Sequence, residues 1–277
     1  MQNDGVLPKD KPLGHLSPAE TAELAAQTKR DEAILIRELV LPGNVKMELP
    51  RCPAGTFTMG PPSDETGCRN NETPHQVTLS KPFWMGKTEV TQAQWRSLMG
   101  NNPSKSEGDD LPVETVSSVE AEAFCRKLTL HLQEKNLLSH DYECRLPTEA
   151  EWEYACRAGS GGRYAGSERV DDLGWFRLNS EGKVKPVSLK RPNAWGLYDM
   201  HGNVSEWCLD TFAPYPSSAA TDPIGPRPAP NLGRVYRGGS WNLSADRCSS
   251  AIRAKANPNR RYAHIGFRVV ITPAVQN

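Results

Sequence analysis

The segment from Arg234-Val-Tyr-Arg-Gly-Gly-Ser-Trp241 to Ile265-Gly-Phe-Arg-Val-Val270 constrains this chain more than any other. Residues that fix a backbone path recur through it: Gly238, Gly239, Trp241, Pro258, Gly266 and the arginines at 237, 253, 261 and 268. The residues between these markers follow neither a helical nor a strand period, so they predict irregular structure. A mostly polar run pinned by rigid anchors is suited to presenting side chains to a partner.

Composition narrows the classes open to such a chain. Its 277 residues carry 33 basic and 33 acidic side chains, so no global field draws it to nucleic acid or to an anionic membrane. The 22 glycines and 23 prolines exceed the roughly 12% share typical of soluble proteins. That excess favours a loop-rich domain with short strands over a helical bundle. No apolar run approaches the roughly 20 residues of a membrane span. Met1-Gln-Asn-Asp-Gly5 lacks the basic and apolar regions of a signal peptide, which makes the cytoplasm the default expectation. None of the seven cysteines lies in a CxxC pair, so zinc-ribbon spacing is absent. Scattered buried thiols are expected, with Cys208 and Cys248 the first pair to check for a bond.

Ser17-Pro18-Ala19-Glu20 is a capping box with proline at the first helical position. It predicts an amphipathic helix through Leu24, Ile34, Leu35 and Leu39 to about Val40, stopped by Pro42-Gly43. Residues 1–45 are therefore expected to be an extension with one helix, able to dock a partner. From residue 46 the texture changes. Alternation at 47–49, 55–60 and 76–80 predicts strands. Thr91 with Gln94, Ser117 with Glu120, and Thr148 with Glu151 form three more capping boxes, each predicted to open a helix. Beyond Gly159 the chain reads as loops and short strands. Residues 46–277 are expected to form one α+β domain.

The motifs now accumulate in order: Pro53-Ala-Gly-Thr-Phe-Thr-Met-Gly60, Lys87-Thr-Glu-Val-Thr91, Arg145-Leu-Pro-Thr-Glu-Ala-Glu-Trp-Glu-Tyr154, Gly196-Leu-Tyr-Asp-Met-His-Gly-Asn-Val-Ser-Glu-Trp207, Arg237-Gly-Gly-Ser-Trp241 and Ile265-Gly-Phe-Arg268. Over about residues 46–272 the chain resembles the formylglycine-generating enzyme, or sulfatase-modifying factor, family. The resemblance implies a loop-rich variant of the C-type lectin fold, with a small antiparallel sheet and flanking helices. The family includes copper-dependent cysteine oxidases, proteins similar to iron-dependent sulfoxide synthases, and binding proteins, among them the variable proteins of diversity-generating retroelements.

The oxidase chemistry requires Cu(I) held between two thiolates, since soft sulfur ligands suit that ion. In the family these cysteines lie five residues apart after the Gly-Gly-Ser-aromatic motif. The second position corresponds to Cys248 and the first to Leu243, which has no lone pair to offer. Copper is therefore not expected; were the chain an enzyme, Cys248 and Ser240 would be its site. Iron needs clustered histidines, and His15, His75, His131, His140, His201 and His264 show no helical pairing. His201 reads as a turn residue. Glu149, Glu151 and Glu153 lie near a helix N-terminus, where carboxylates gain about 0.3–1 kcal/mol each. The resemblance also implies a calcium site of Gly202, Asn203, Val204 and Glu206, an oxygen set that suits a hard cation; a simple turn capped by Asn203 is the alternative.

The positions between the last markers are Asn242, Leu243, Ser244, Asp246, Arg247, Ile252, Ala254, Lys255, Ala256, Asn257, Asn259, Arg260, Tyr262, Ala263 and His264. The frame around them resembles that of the retroelement variable proteins, whose diversified codons reach most residues but not lysine; only Lys255 departs. Trp241, Ala245, Cys248, Ala251 and Phe267 are expected to point inward, with burial of Trp241 and Phe267 contributing about 1.5–3 kcal/mol each. Tyr262, Arg247, Arg260 and His264 are residue types suited to interfaces. The expectation is a non-catalytic protein that binds an unknown protein or other macromolecule, not nucleic acid, through residues 242–264. The alternative is a copper-dependent cysteine oxidase or another metal-dependent oxidase of the family.

Overall fold

The computed structural model describes residues 17, 19, 36–62, 72–226 and 232–274. Residues from Ile36 onward form one compact unit. The expected helix is corrected at its C-terminal end. Ile36–Leu41 is a strand, β1, paired antiparallel with β2 (Val45–Cys52) in the register Ile36↔Pro50 to Leu41↔Val45. Leu39 and Leu41 are buried and Val40 is exposed, a period of two rather than a helical stripe. Pro42-Gly43, read as a helix stop, makes the hairpin turn, with Gly43 at φ 76°. The unit thus starts at Ile36 rather than at residue 46. The remainder of the expected extension lies outside the described residues, apart from Ser17 and Ala19.

The further strands are β3 (Gly55–Met59), β4 (His75–Leu79), β5 (Phe83–Met85), β6 (Tyr142–Arg145), β7 (Ser205–Thr211), β8 (Ala220–Thr221), β9 (Arg234–Arg237), β10 (Arg253–Ala256), β11 (Ile265–Gly266) and β12 (Val270–Pro273). They form three sheets, in the orders β1-β2-β5-β12-β6, β10-β9-β7-β11 and β3-β4-β8. The fold is α+β and loop-rich, with mostly antiparallel pairing and flanking helices as expected, and its strands divide among three small sheets. β8 runs parallel to β4 and β11 parallel to β7. Each parallel pair joins strands separated by a long excursion, which a parallel connection requires and residue alternation cannot announce.

All three capping boxes in the domain open helices: α1 (Gln92–Met99), α2 (Ser118–Glu134) and α3 (Glu149–Arg157). In each, the Thr or Ser hydroxyl accepts from the backbone amide three residues on, and that residue's side chain accepts from the cap amide. Trp95 of α1 stacks on Phe124 of α2 at 5.6 Å, and Phe267 meets Phe124 edge-on at 5.5 Å. Such pairs contribute about 0.5–1.5 kcal/mol beyond area burial. They fasten the last marker segment to both helices. A second cluster gathers Met85, Trp152, Tyr154 and Leu197. Cys208 and Cys248 are both buried free thiols, so the bond considered between them is not formed. Among the described residues no helix is long and apolar enough to cross a membrane.

Candidate functional site

The site begins where β9 ends. Gly238 and Gly239 both take positive φ, 92° and 75°. A Cβ at Gly239 would overlap the Cys248 sulfur and the Arg247 carbonyl, so only glycine lets these two strands of chain approach. The chain then forms a loop with a 3-10 turn at Ala245–Cys248, returns as β10 alongside β9 with Arg253 opposite Arg237, and loops again into β11.

The marker arginines hold this path from below. Arg253 donates Nε and Nη2 to the two Glu149 oxygens at 2.8 and 2.6 Å. Arg237 pairs with Glu153 and donates Nη1 to the carbonyls of Ala251 and Ile252 at 2.6 Å each. Glu153 also accepts from Arg157 Nε at 2.9 Å and from the Gly60 amide at 2.8 Å. Burial alone would raise the Glu153 pKa; Arg237 and then Arg157 outweigh it and hold the carboxyl below its ordinary value. Arg268 grips Glu206 with two bonds of 2.7 Å, and Trp152 Nε1 donates to the same carboxylate at 2.8 Å. Glu149 and Glu153 are therefore partners of buried arginines, more than carboxylates resting on a helix dipole. Removing one partner from such a pair costs about 3–5 kcal/mol.

None of the positions between the markers is buried. Asp246, Lys255, Asn257, Asn259 and Arg260 are exposed, and the others are half-buried. Cys248, Ala251 and Phe267 point inward as expected. Trp241 and Ala245 are only half-buried, although Ala245 packs against the cluster that holds Cys248. Six of the positions come together. Asn242, Leu243, Ser244, Arg247, Ile252 and Ala254 line an open cleft of about 350 Å³. Tyr236 of β9 and Arg177 complete its wall. Arg177 comes from a loop outside the marker segment, stitched to it by Arg177 N donating to the Leu243 carbonyl and Ser180 Oγ to the Trp241 carbonyl, both at 2.8 Å. Nothing in the sequence marks Arg177, since its position depends on a contact with Leu243, 66 positions further along the chain.

The remaining positions lie apart from this cleft. Lys255 sits on β10, its ammonium 5.2 Å from the Phe212 ring centre. The loop after it docks on the start of α2: Ser118 N donates to the Pro258 carbonyl at 3.1 Å and Thr115 N to the Tyr262 carbonyl at 3.0 Å. Asn257, Asn259 and Arg260 project from that loop, while Tyr262 packs towards Trp207 at 6.3 Å between ring centres and towards His264 at 5.9 Å.

The residues do not fit the two-thiolate copper site. Leu243 faces the cleft, whereas the Cys248 thiol lies under Gly239 in a cluster with Tyr164, Val170, Leu173 and Phe176. Burial pushes that thiol up to about 12, away from the thiolate form a metal needs. Ser240 is buried, and its hydroxyl donates to Asn242 Oδ1 at 2.8 Å. Nor do the four expected calcium donors fit as a set. Asn203 Oδ1 accepts from Lys185 N at 3.0 Å and its carbonyl accepts from Trp241 N at 2.8 Å, while both Glu206 oxygens are bound by Arg268. Asn203 is left-handed at φ 57°, and its side chain bonds the Lys185 backbone on both sides, Oδ1 accepting from the amide and Nδ2 donating to the carbonyl, instead of its own turn. His201, read as a turn residue, is a buried joint. Its Nε2 accepts from Ala165 N at 3.0 Å, so its Nδ1 donates to the Cys248 carbonyl at 2.8 Å. Burial pulls its pKa down to about 4, keeping the ring neutral.

A loop-rich α+β scaffold with an arginine-clamped frame and an open cleft above it defines the class. The chain matches the sulfatase-modifying factor enzyme 1-like domain over residues 44–273 and belongs to that family. It is 30% identical over 239 residues to the chaperone protein LppX of Paenibacillus barcinonensis, covering 70% of this chain and 81% of LppX. It is 34% identical over 207 residues to the formylglycine-generating enzyme of Streptomyces coelicolor, covering 68% of this chain and 60% of that enzyme. Among solved structures, Treponema denticola variable protein 1 is similar at a TM-score of 0.77 and 32% identity, over 86% of this chain and 99% of that one. PvdO of Pseudomonas aeruginosa is similar at 0.68 and 28%, over 81% and 94%.

Proposed function

We propose that this chain is a non-catalytic ligand-binding protein that displays residues 242–264 on its family scaffold, in the manner of proteins diversified by retroelements. The observation that carries this reading is the cleft lined by Asn242, Leu243, Ser244, Arg247, Ile252 and Ala254, with a leucine where the oxidases place a sulfur donor. The likeness to Treponema denticola variable protein 1 supports it. The test is a display library of the full chain randomised at the positions between the markers and selected against a panel of purified proteins. Distinct binders with unchanged unfolding temperatures are expected; a library that loses its fold, or yields no binder, overturns the reading.

The relation to the Streptomyces coelicolor enzyme favours the oxidase as the second reading. Titration of the reduced chain with Cu(I), followed by assay on a Cys-x-Pro-x-Arg peptide, decides between them. Stoichiometric high-affinity copper with peptide turnover would establish the oxidase; neither is expected.

A further inference from the structure

The charge of the cleft points to the chemistry of what enters it, an inference that rests on the ligand-binding reading above. Its lining contains Arg177, Arg237, Arg247 and Arg253 and no aspartate or glutamate. Arg237 and Arg253 form its floor and are engaged by Glu153 and Glu149. Arg157 shares Glu153, so three guanidinium groups face two carboxylates beneath the cleft. Among the described residues, Arg237 Nε is hidden from solvent and has no hydrogen-bond acceptor; a Glu149 oxygen lies 3.7 Å away.

The rim adds two cations with little to neutralise them. Arg177 is exposed, and no carboxylate among the described residues pairs with it. Among the described residues, the carboxylate that pairs with Arg247 is that of its neighbour Asp246, at 3.6 Å, with the two side chains 43% and 60% exposed. An ion pair so open to water contributes little. The chain as a whole is neutral, so this excess is local to the cleft. Apolar side chains share the lining, Leu243, Ile252 and Ala254, and Leu178, which follows Arg177 in the chain outside that lining, is 84% exposed.

We propose that the cleft receives the carboxylate of an acidic side chain from a protein ligand, held between Arg177 and Arg247, with an apolar ligand residue covering Leu178. Guanidinium groups bind carboxylates through paired, charge-assisted hydrogen bonds. A free small anion would use the arginines and leave Leu178 bare; a peptide uses both. The volume of about 350 Å³ suits one or two side chains, at the lower end of the range for ligand pockets.

The test uses the full chain and a dye-labelled peptide, Gly-Leu-Glu-Glu-Leu-Gly, followed by fluorescence anisotropy. The counterpart with both glutamates replaced by glutamine is the control, and inorganic phosphate is the competitor. The glutamate peptide is expected to bind at least tenfold more tightly than its counterpart. Arg177→Ala and Arg247→Ala should each weaken it about tenfold, as loss of one charged anchor does. Both side chains reach solvent, so their removal leaves the fold intact, checked by unchanged thermal unfolding. Equal binding of the two peptides, or undiminished affinity in the folded double variant, would overturn the inference. Binding of phosphate without preference for the glutamate peptide would also overturn it, in favour of a free anion. Library selections that yield binders indifferent to ligand charge would sink this inference alone, while a library with no binder at all sinks the underlying reading as well.

Discussion

Two sets of side chains interleave between Arg234 and Val270, and their surroundings are opposite. Arg237, Arg253 and Arg268 are nearly inaccessible and bonded to carboxylates and carbonyls. The displayed positions from Asn242 to His264 reach solvent, and several line an open cleft. One set fixes the path of the chain, and the other is carried by it. The lesson is that exchange at the second set need not disturb the first, because their contacts are almost disjoint and energies at independent sites add.

The sharpest way to break this comparison is to cut a clamp. Arg268→Ala leaves Glu206 buried without its cation and should cost about 3–5 kcal/mol in chemical denaturation. A loss below about 1 kcal/mol would mean the frame does not depend on its ion pairs. Gly239→Ala comes next. The added methyl overlaps Cys248 and Arg247 at a positive φ, so about 2–3 kcal/mol of stability should be lost, read from the unfolding midpoint.

The buried joint at His201 gives a pH signature. Its folded pKa, about 4, lies below the unfolded value near 6.5, so the neutral ring contributes stability above pH 6.5 that is lost as the pH falls towards 4. His201→Gln does not titrate. It should be less stable than the parent at pH 7, and that difference should narrow by about 2–3 kcal/mol by pH 4. A constant difference across that range would mean that the ring titrates alike in the folded and the unfolded chain. The smallest effects belong to the displayed set. Lys255→Ala, Asn259→Ala and Arg260→Ala should each change stability by less than about 0.5 kcal/mol, the range for exposed positions. Larger losses would place these residues in the frame and erase the distinction.

Much of the fold was legible because its signals are local. The three capping boxes, the alternation at 47–49, 55–60 and 76–80, and the ordered family motifs all correspond to observed elements or to the matched family. The failures have local causes as well. Ile36-Arg-Glu-Leu-Val-Leu41 is too short for its period to separate helix from strand, and pairing with β2 decided it. Trp241 looked like a core residue by size, yet it is only half-buried. Glu149 and Glu153 looked like N-terminal charges on a helix until Arg253 and Arg237 were found across from them.

The sequence by itself determined the family, the helix starts, the rigid markers and the leucine at the position of a sulfur donor. Each of these is a matter of residue identity and spacing along the chain. Only the tertiary structure decided which carboxylate meets which arginine, that Arg177 joins the wall of the cleft, that Cys248 packs under Gly239, and that the Asn203 and Glu206 oxygens bond Lys185, Trp241 and Arg268. These are contacts between distant segments, set by packing and burial, and no pattern confined to neighbouring residues encodes them.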